Sequence, residues 1–111
     1  MATGKIKSME EFTVTLAENT TGTIYGRRSG RVVWIALVNV KCSDATGSGW
    51  VTVGTIPSAH CPEQSYLYGC CYTVESSTVR LRQIRAQSNT GLRINNIGSG
   101  EGAYGWIVYM S

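Results

Sequence analysis

Charge is scarce in this chain. Asp, Glu, Lys and Arg make up 15 % of its 111 residues, against about a quarter in ordinary soluble domains. A small monomer normally covers its outside with charge. A chain with this little is expected to hide surface against copies of itself or within a larger assembly. The balance of 10 Lys plus Arg against 7 Asp plus Glu leaves a net +3, which falls short of the basic footprint of a nucleic-acid binder. Helical periodicity is missing, since no stretch keeps an i, i+3, i+4 apolar stripe. No apolar run approaches the roughly 18 residues that a membrane span requires. Met1 to Phe12 is polar and broken by charged residues where a secretory leader needs an apolar core. The expectation is synthesis in the cytoplasm, with no export and no membrane insertion. Histidine and aspartate occur once each, as His60 and Asp44, so a Ser-His-Asp triad would need both in one place. The six glutamates (Glu10, Glu11, Glu18, Glu63, Glu75 and Glu101) are scattered and signal no carboxylate pair. With no catalytic arrangement to argue from, the chain is expected not to be an enzyme.

What is present in quantity is glycine, 13 residues of it, together with an alternation of apolar and polar residues broken by Gly, Ser, Asn and Pro. Alternation with period two predicts strands near Phe12–Leu16, Thr23–Arg28, Arg31–Val40, Trp50–Thr55, Tyr66–Val74, Thr78–Ala86, Gly91–Ile97 and Ala103–Met110. Ser29-Gly30, Ser76-Ser77 and Asn89-Thr90-Gly91 sit where hairpin turns are needed. About eight short, evenly spaced strands predict an all-β fold, a compact antiparallel barrel or two-layer sandwich. Residues 1–22 read as an N-terminal arm or connector carrying a first strand, and residues 23–111 as the β domain.

Two of these strands are apolar on both faces. RVVWIALVNV places Val32, Trp34, Ala36, Val38 and Val40 on one side, with Val33, Ile35 and Leu37 on the other. AYGWIVYM opposes Tyr104, Trp106 and Val108 to Ile107 and Tyr109. Such strands belong between packed layers or at a subunit interface. The low charge favours a homo-oligomer, with Trp34, Ile35, Leu37, Trp106, Ile107 and Tyr109 as the expected interface residues.

The segment WVTVGTIPSAHCP, Trp50 to Pro62, collects the only histidine, one of four cysteines and both prolines. As a zinc site it is poor. His60-Cys61 and Cys70-Cys71 are adjacent pairs, and neighbours on an extended chain point to opposite faces. Adjacent cysteines also rarely bridge, because a vicinal disulfide strains the peptide between them. Four free thiols and no metal or other cofactor are expected in an unexported chain. Arg80 and Arg82 share a strand face, which suits either a basic groove or a solvated outer face whose hydrophobic partners are Val79 and Leu81; the low net charge favours the second. Trp50, Tyr66 and Tyr68 fall on or beside the same loop as His60 and Glu63. Aromatic faces beside polar loop groups are what a saccharide needs, so these five are the expected ligand-binding residues.

Ser-Gly-Arg-Val-Val at the first hairpin, the long apolar strand after it, Gly-Ser-Gly-Trp leading into Val-Gly-Thr-Ile-Pro, a proline five residues on, and the Gly-rich final strand at Gly102-Ala103-Tyr104 form an ordered series. From about Thr23 to the C-terminus this series resembles the C-terminal head domains of tail-fibre and baseplate receptor-binding proteins of tailed bacteriophages. The resemblance implies a homotrimer in a virion, in contact with other virion proteins, that attaches to a host cell-envelope saccharide without catalysis. It equally accommodates a purely structural virion component with no ligand, such as a capsid decoration, head fibre or tail-tip protein. In either case Pro57 and Pro62 would fix the direction of a corner between strands.

Overall fold

A computed structural model describes residues 9–111 and shows an all-β chain with one short 3-10 turn. The strands are β1 (Glu10–Thr13), β2 (Thr15–Leu16), β3 (Thr20–Ser29), β4 (Val32–Cys42), β5 (Trp50–Thr55), β6 (Tyr66–Glu75), β7 (Thr78–Gln87), β8 (Gly91–Asn95) and β9 (Gly102–Met110). They form a single sheet in the order β1-β3-β4-β9-β6-β7-β8-β5-β2, and all pairings are antiparallel.

Closure comes from the first strand. The segment predicted as one strand over Phe12–Leu16 divides at Val14: β1 pairs with β3, and β2 turns to pair with β5 at the far edge of the sheet. Val14 is buried at the switch, so the sheet curls into a nearly closed barrel and leaves few unpaired edge groups. The barrel thus includes residues 10–16, and β3 begins at Thr20, upstream of the expected arm boundary at residue 22. The first eight residues of that arm lie outside the described residues.

Val33, Ile35, Leu37, Ile56, Ile84, Leu92, Ile94, Ile97, Ile107 and Tyr109 fill the interior. Alternation predicts Val40 beside Trp34 and Val38, but the structure puts Val40 in the core. The cause is a bulge. Leu37 faces Gly105 on β9 and Val40 faces Ala103, so Val38 and Asn39 together oppose one residue, and Asn39 takes φ 49°. Every side chain beyond it changes face. Gly22, at φ 104° on β3, lies against the Asn39 carbonyl, and a Cβ there would collide with it.

The start of β7 also reverses expectation. Val79 and Leu81 point out to solvent, Leu81 with 80 % of its surface exposed, while Arg82 turns inward. Its guanidinium forms two 3.0 Å bonds to the Glu101 carboxylate, which also accepts from the Thr73 hydroxyl at 2.5 Å and the Gly98 amide at 3.0 Å. Glu101 is 4 % exposed. Burial alone would raise its pKa, but the bonds from Arg82, Thr73 and Gly98 outweigh that and hold the carboxyl below its ordinary value. Arg82 is therefore an interior strut. Arg80 stays at the surface beside Glu75 at 3.7 Å.

Candidate ligand site

β5 ends at Thr55, and the chain then turns through Pro57 and the 3-10 turn Ser58–His60. Arg28 donates to the carbonyls of Gly30, Ala59 and Ser111; Tyr109 donates to the His60 carbonyl and the Ser111 hydroxyl to that of Cys61. His60 is buried beneath this clasp. Its ring stacks on Phe12 at 4.0 Å between centroids, with Nδ1 3.3 Å from Arg28 and Nε2 4.0 Å from Glu10. Gly26 makes room for the Phe12 ring, which a Cβ at that position would strike. Glu63 is tied to Arg31 at 2.6 Å. The partners of His60 and Glu63 therefore lie on β1, β3 and the β3–β4 turn. The segment is a structural corner, and neither residue joins the aromatic group described next. All four cysteines are free thiols, with Cys70 exposed and the others buried. Burial pushes Cys71 up to about 11 and raises Cys61, so both stay protonated.

The other three expected ligand residues do come together. On the outer face of β6, β7, β8 and β5, Tyr68 pairs with Arg85, Arg85 with Arg93, and Arg93 with Thr52, a row of four side chains across four strands. Beside this row, Trp50 lies opposite Asn95 and Tyr66 opposite Gln87. The Trp50 and Tyr68 rings are 6.0 Å apart, and those of Tyr66 and Tyr68 6.4 Å. The Arg85 guanidinium lies 4.2 Å from the Trp50 centroid and 4.5 Å from that of Tyr66, and donates to Gln87 Oε1 at 3.2 Å. Trp50 is half-buried, while Tyr66 and Tyr68 keep about half their surface, 50 % and 55 %, in solvent. The platform offers ring faces, phenol and hydroxyl groups, an amide and two guanidiniums on rigid strands. That is equipment for binding. Arg85 and Arg93 are not among the five ligand residues expected from the sequence, yet both stand between buried neighbours, Ile84 and Ala86 in one case and Leu92 and Ile94 in the other, which puts them on the outer face.

The opposite side of the barrel carries a second surface. Trp34, Val38, Trp106, Val108 and Met110 face outward from β4 and β9, Trp106 with 70 % of its surface exposed. An open groove of about 330 Å³ runs between Met9, Tyr25, Arg27, Trp34, Ala36 and Trp106. Ile35, Leu37, Ile107 and Tyr109, expected at an interface, instead point into the core of the single chain with 4 % or less exposed. They cannot meet a neighbouring copy, because the second apolar face of each strand is the barrel's own interior.

No family model and no curated protein matches the chain. Two solved structures do. The head domain of lactococcal phage bIL170, from work on a common fold for the receptor-binding domains of lactococcal phages, superposes with a TM-score of 0.76 at 16 % identity, over 93 % of this chain and 98 % of that one. The receptor-binding protein of Listeria phage PSA superposes with a TM-score of 0.68, also at 16 % identity, over 96 % of this chain and 67 % of that one. Both likenesses are of fold, and they span nearly the whole chain.

Proposed function

We propose that this chain, whose fold is that of two phage receptor-binding domains, is the receptor-binding head of a phage virion protein and attaches to a saccharide of the host cell envelope without catalysis. The observation that carries the reading is the meeting of Trp50, Tyr66 and Tyr68 on one outward face, among groups able to bond hydroxyls. Sugar rings lay their apolar C–H faces on aromatic rings while their hydroxyls take hydrogen bonds from the rim. Arg85 covers one face of Trp50 and lies over Tyr66, so Tyr68 offers the ring with no cation over it. The test is binding of purified protein to candidate host cells and to their wall polysaccharide, wild type against Tyr68→Ala. The reading expects saturable binding that Tyr68→Ala weakens by about tenfold or more, the scale of one lost stacking contact.

The same proposal includes a homotrimer assembled through the outer face of Trp34, Trp106 and Leu81. An exposed apolar surface of this kind is costly in a lone monomer. Three sites on one head also multiply weak single-site affinities through avidity. That face favours a second reading as well, a structural virion component whose apolar side is covered by other virion proteins and which has no ligand. Absence of binding to every cell tested, with the protein located on the capsid shell, would select the second reading.

A further inference from the structure

Most arginines among the described residues have an acidic partner. Arg27 is near Glu11, Arg31 holds Glu63, Arg80 is near Glu75 and Arg82 holds Glu101. Arg28 spends its donors on three carbonyls of the corner. Arg85 and Arg93 are the exception. They face each other directly across β7 and β8 on the outer surface, where like charges destabilise a sheet. No described carboxylate pairs with either, and residues 1–8 contain no Asp or Glu. Arg85 bonds only the neutral amide of Gln87, and Arg93 has no hydrogen bond among the described residues. The Nε of each is shut off from solvent without a partner, a costly arrangement for a cationic group. Both side chains are half-buried, and the Arg85 guanidinium is held between the Trp50 and Tyr66 rings.

We infer that the platform selects a ligand carrying an oxyanion, phosphate or carboxylate, next to its sugar ring. The inference rests on the reading of this platform as a saccharide site. A bound oxyanion would neutralise the facing guanidiniums and accept N–H bonds from their terminal nitrogens. The planar guanidinium fork matches phosphate and carboxylate alike. Packing between two rings already limits the motion of Arg85, so little conformational freedom remains to be lost on binding. Thr52 and Tyr68, at the two ends of the row, are placed to donate to hydroxyls beside the anionic group.

The test is a nitrogen-15 NMR titration of the intact protein with glucose, glucose 1-phosphate, glucuronate and inorganic phosphate, reading the Nε–H signals of Arg85 and Arg93 and the Trp50 indole. Glucose 1-phosphate or glucuronate should shift all three saturably and bind about tenfold or more tightly than glucose. Comparing those two ligands identifies the oxyanion. Arg93→Gln should erase that preference, Arg93→Lys should restore part of it, and Arg27→Gln should leave it intact. Glucose binding as well as its anionic relatives overturns the oxyanion inference and leaves the saccharide reading standing. Inorganic phosphate binding as well as glucose 1-phosphate, with glucose silent, supports the oxyanion and removes the sugar. Shifts spread over every arginine, or none at all, overturn the inference.

Discussion

Arg82 and Arg85 lie three positions apart on β7, and their surroundings are opposites. Arg82 turns into the barrel, where Glu101 takes two of its N–H groups and Thr73 and Gly98 satisfy the rest of the carboxylate. Arg85 turns out, between two aromatic rings and across from another arginine, with no acid in reach. An odd spacing on a strand sends two like side chains to opposite faces, and the available partner then decides what each does. A largely covered guanidinium matched by a buried carboxylate becomes part of the frame. An unmatched one on a rigid outer face keeps its terminal N–H groups free of any acidic partner. One strand thus holds the barrel together at one end and equips the platform at the other.

The largest expected effect comes from breaking the inner pair. Glu101→Ala leaves the partly buried Arg82 and the buried Thr73 hydroxyl without their acceptor, and should cost about 3–5 kcal/mol of unfolding free energy in urea denaturation. A loss below about 1 kcal/mol would mean that the pair behaves as an exposed one and that the contrast with Arg85 is false. Next in size is assembly. Replacing Leu81 and Trp106 together by Ser should remove on the order of 2 kcal/mol or more per protomer from an interface built on them. Sedimentation would then show monomers with an unchanged strand spectrum, against trimers for the wild type; a wild-type monomer at micromolar concentration would end the trimer proposal.

Acid sharpens the same comparison. Because the folded-state pKa of Glu101 is depressed, its stabilising contribution is fully present above the unfolded carboxyl value and is lost as pH falls through the lower folded value. Stability should therefore decline between about pH 5 and pH 3, and Glu101→Gln should flatten that decline. An equally steep decline in the variant would place the acid sensitivity in other carboxylates. The smallest effect is expected at Arg93→Gln. Relief of a like-charge pair should leave stability within about 0.5 kcal/mol of the wild type, on the gaining side. A clear loss would show Arg93 to be a strut like Arg82.

Strand positions were legible because their cause is local. Successive side chains on extended backbone alternate by covalent geometry, and Gly30, Ser76 and Thr90 adopt the positive φ that hairpin turns require. The aromatic part of the site was legible for a related reason: Tyr66 and Tyr68 share a face by their even spacing, and the β5–β8–β7–β6 pairings bring Trp50 to them. Its place in a polar loop beside Trp50, Tyr66 and Tyr68 in sequence points His60 toward a ligand. Its ring is claimed instead by Phe12 and Arg28, partners more than thirty positions away.

By itself, the sequence determined an antiparallel all-β chain, the approximate place of its strands, and a surface poor in charge. Only the tertiary structure decided which face of each strand looks inward. The bulge at Asn39 moves Val40 to the core, and the division of the first strand at Val14 closes the barrel. Glu101, nineteen positions from Arg82 in sequence, draws that arginine inside and leaves Leu81 outside. Alternation states that neighbouring side chains oppose one another, but the sign of the alternation depends on contacts between distant segments, and those exist only once the chain has folded.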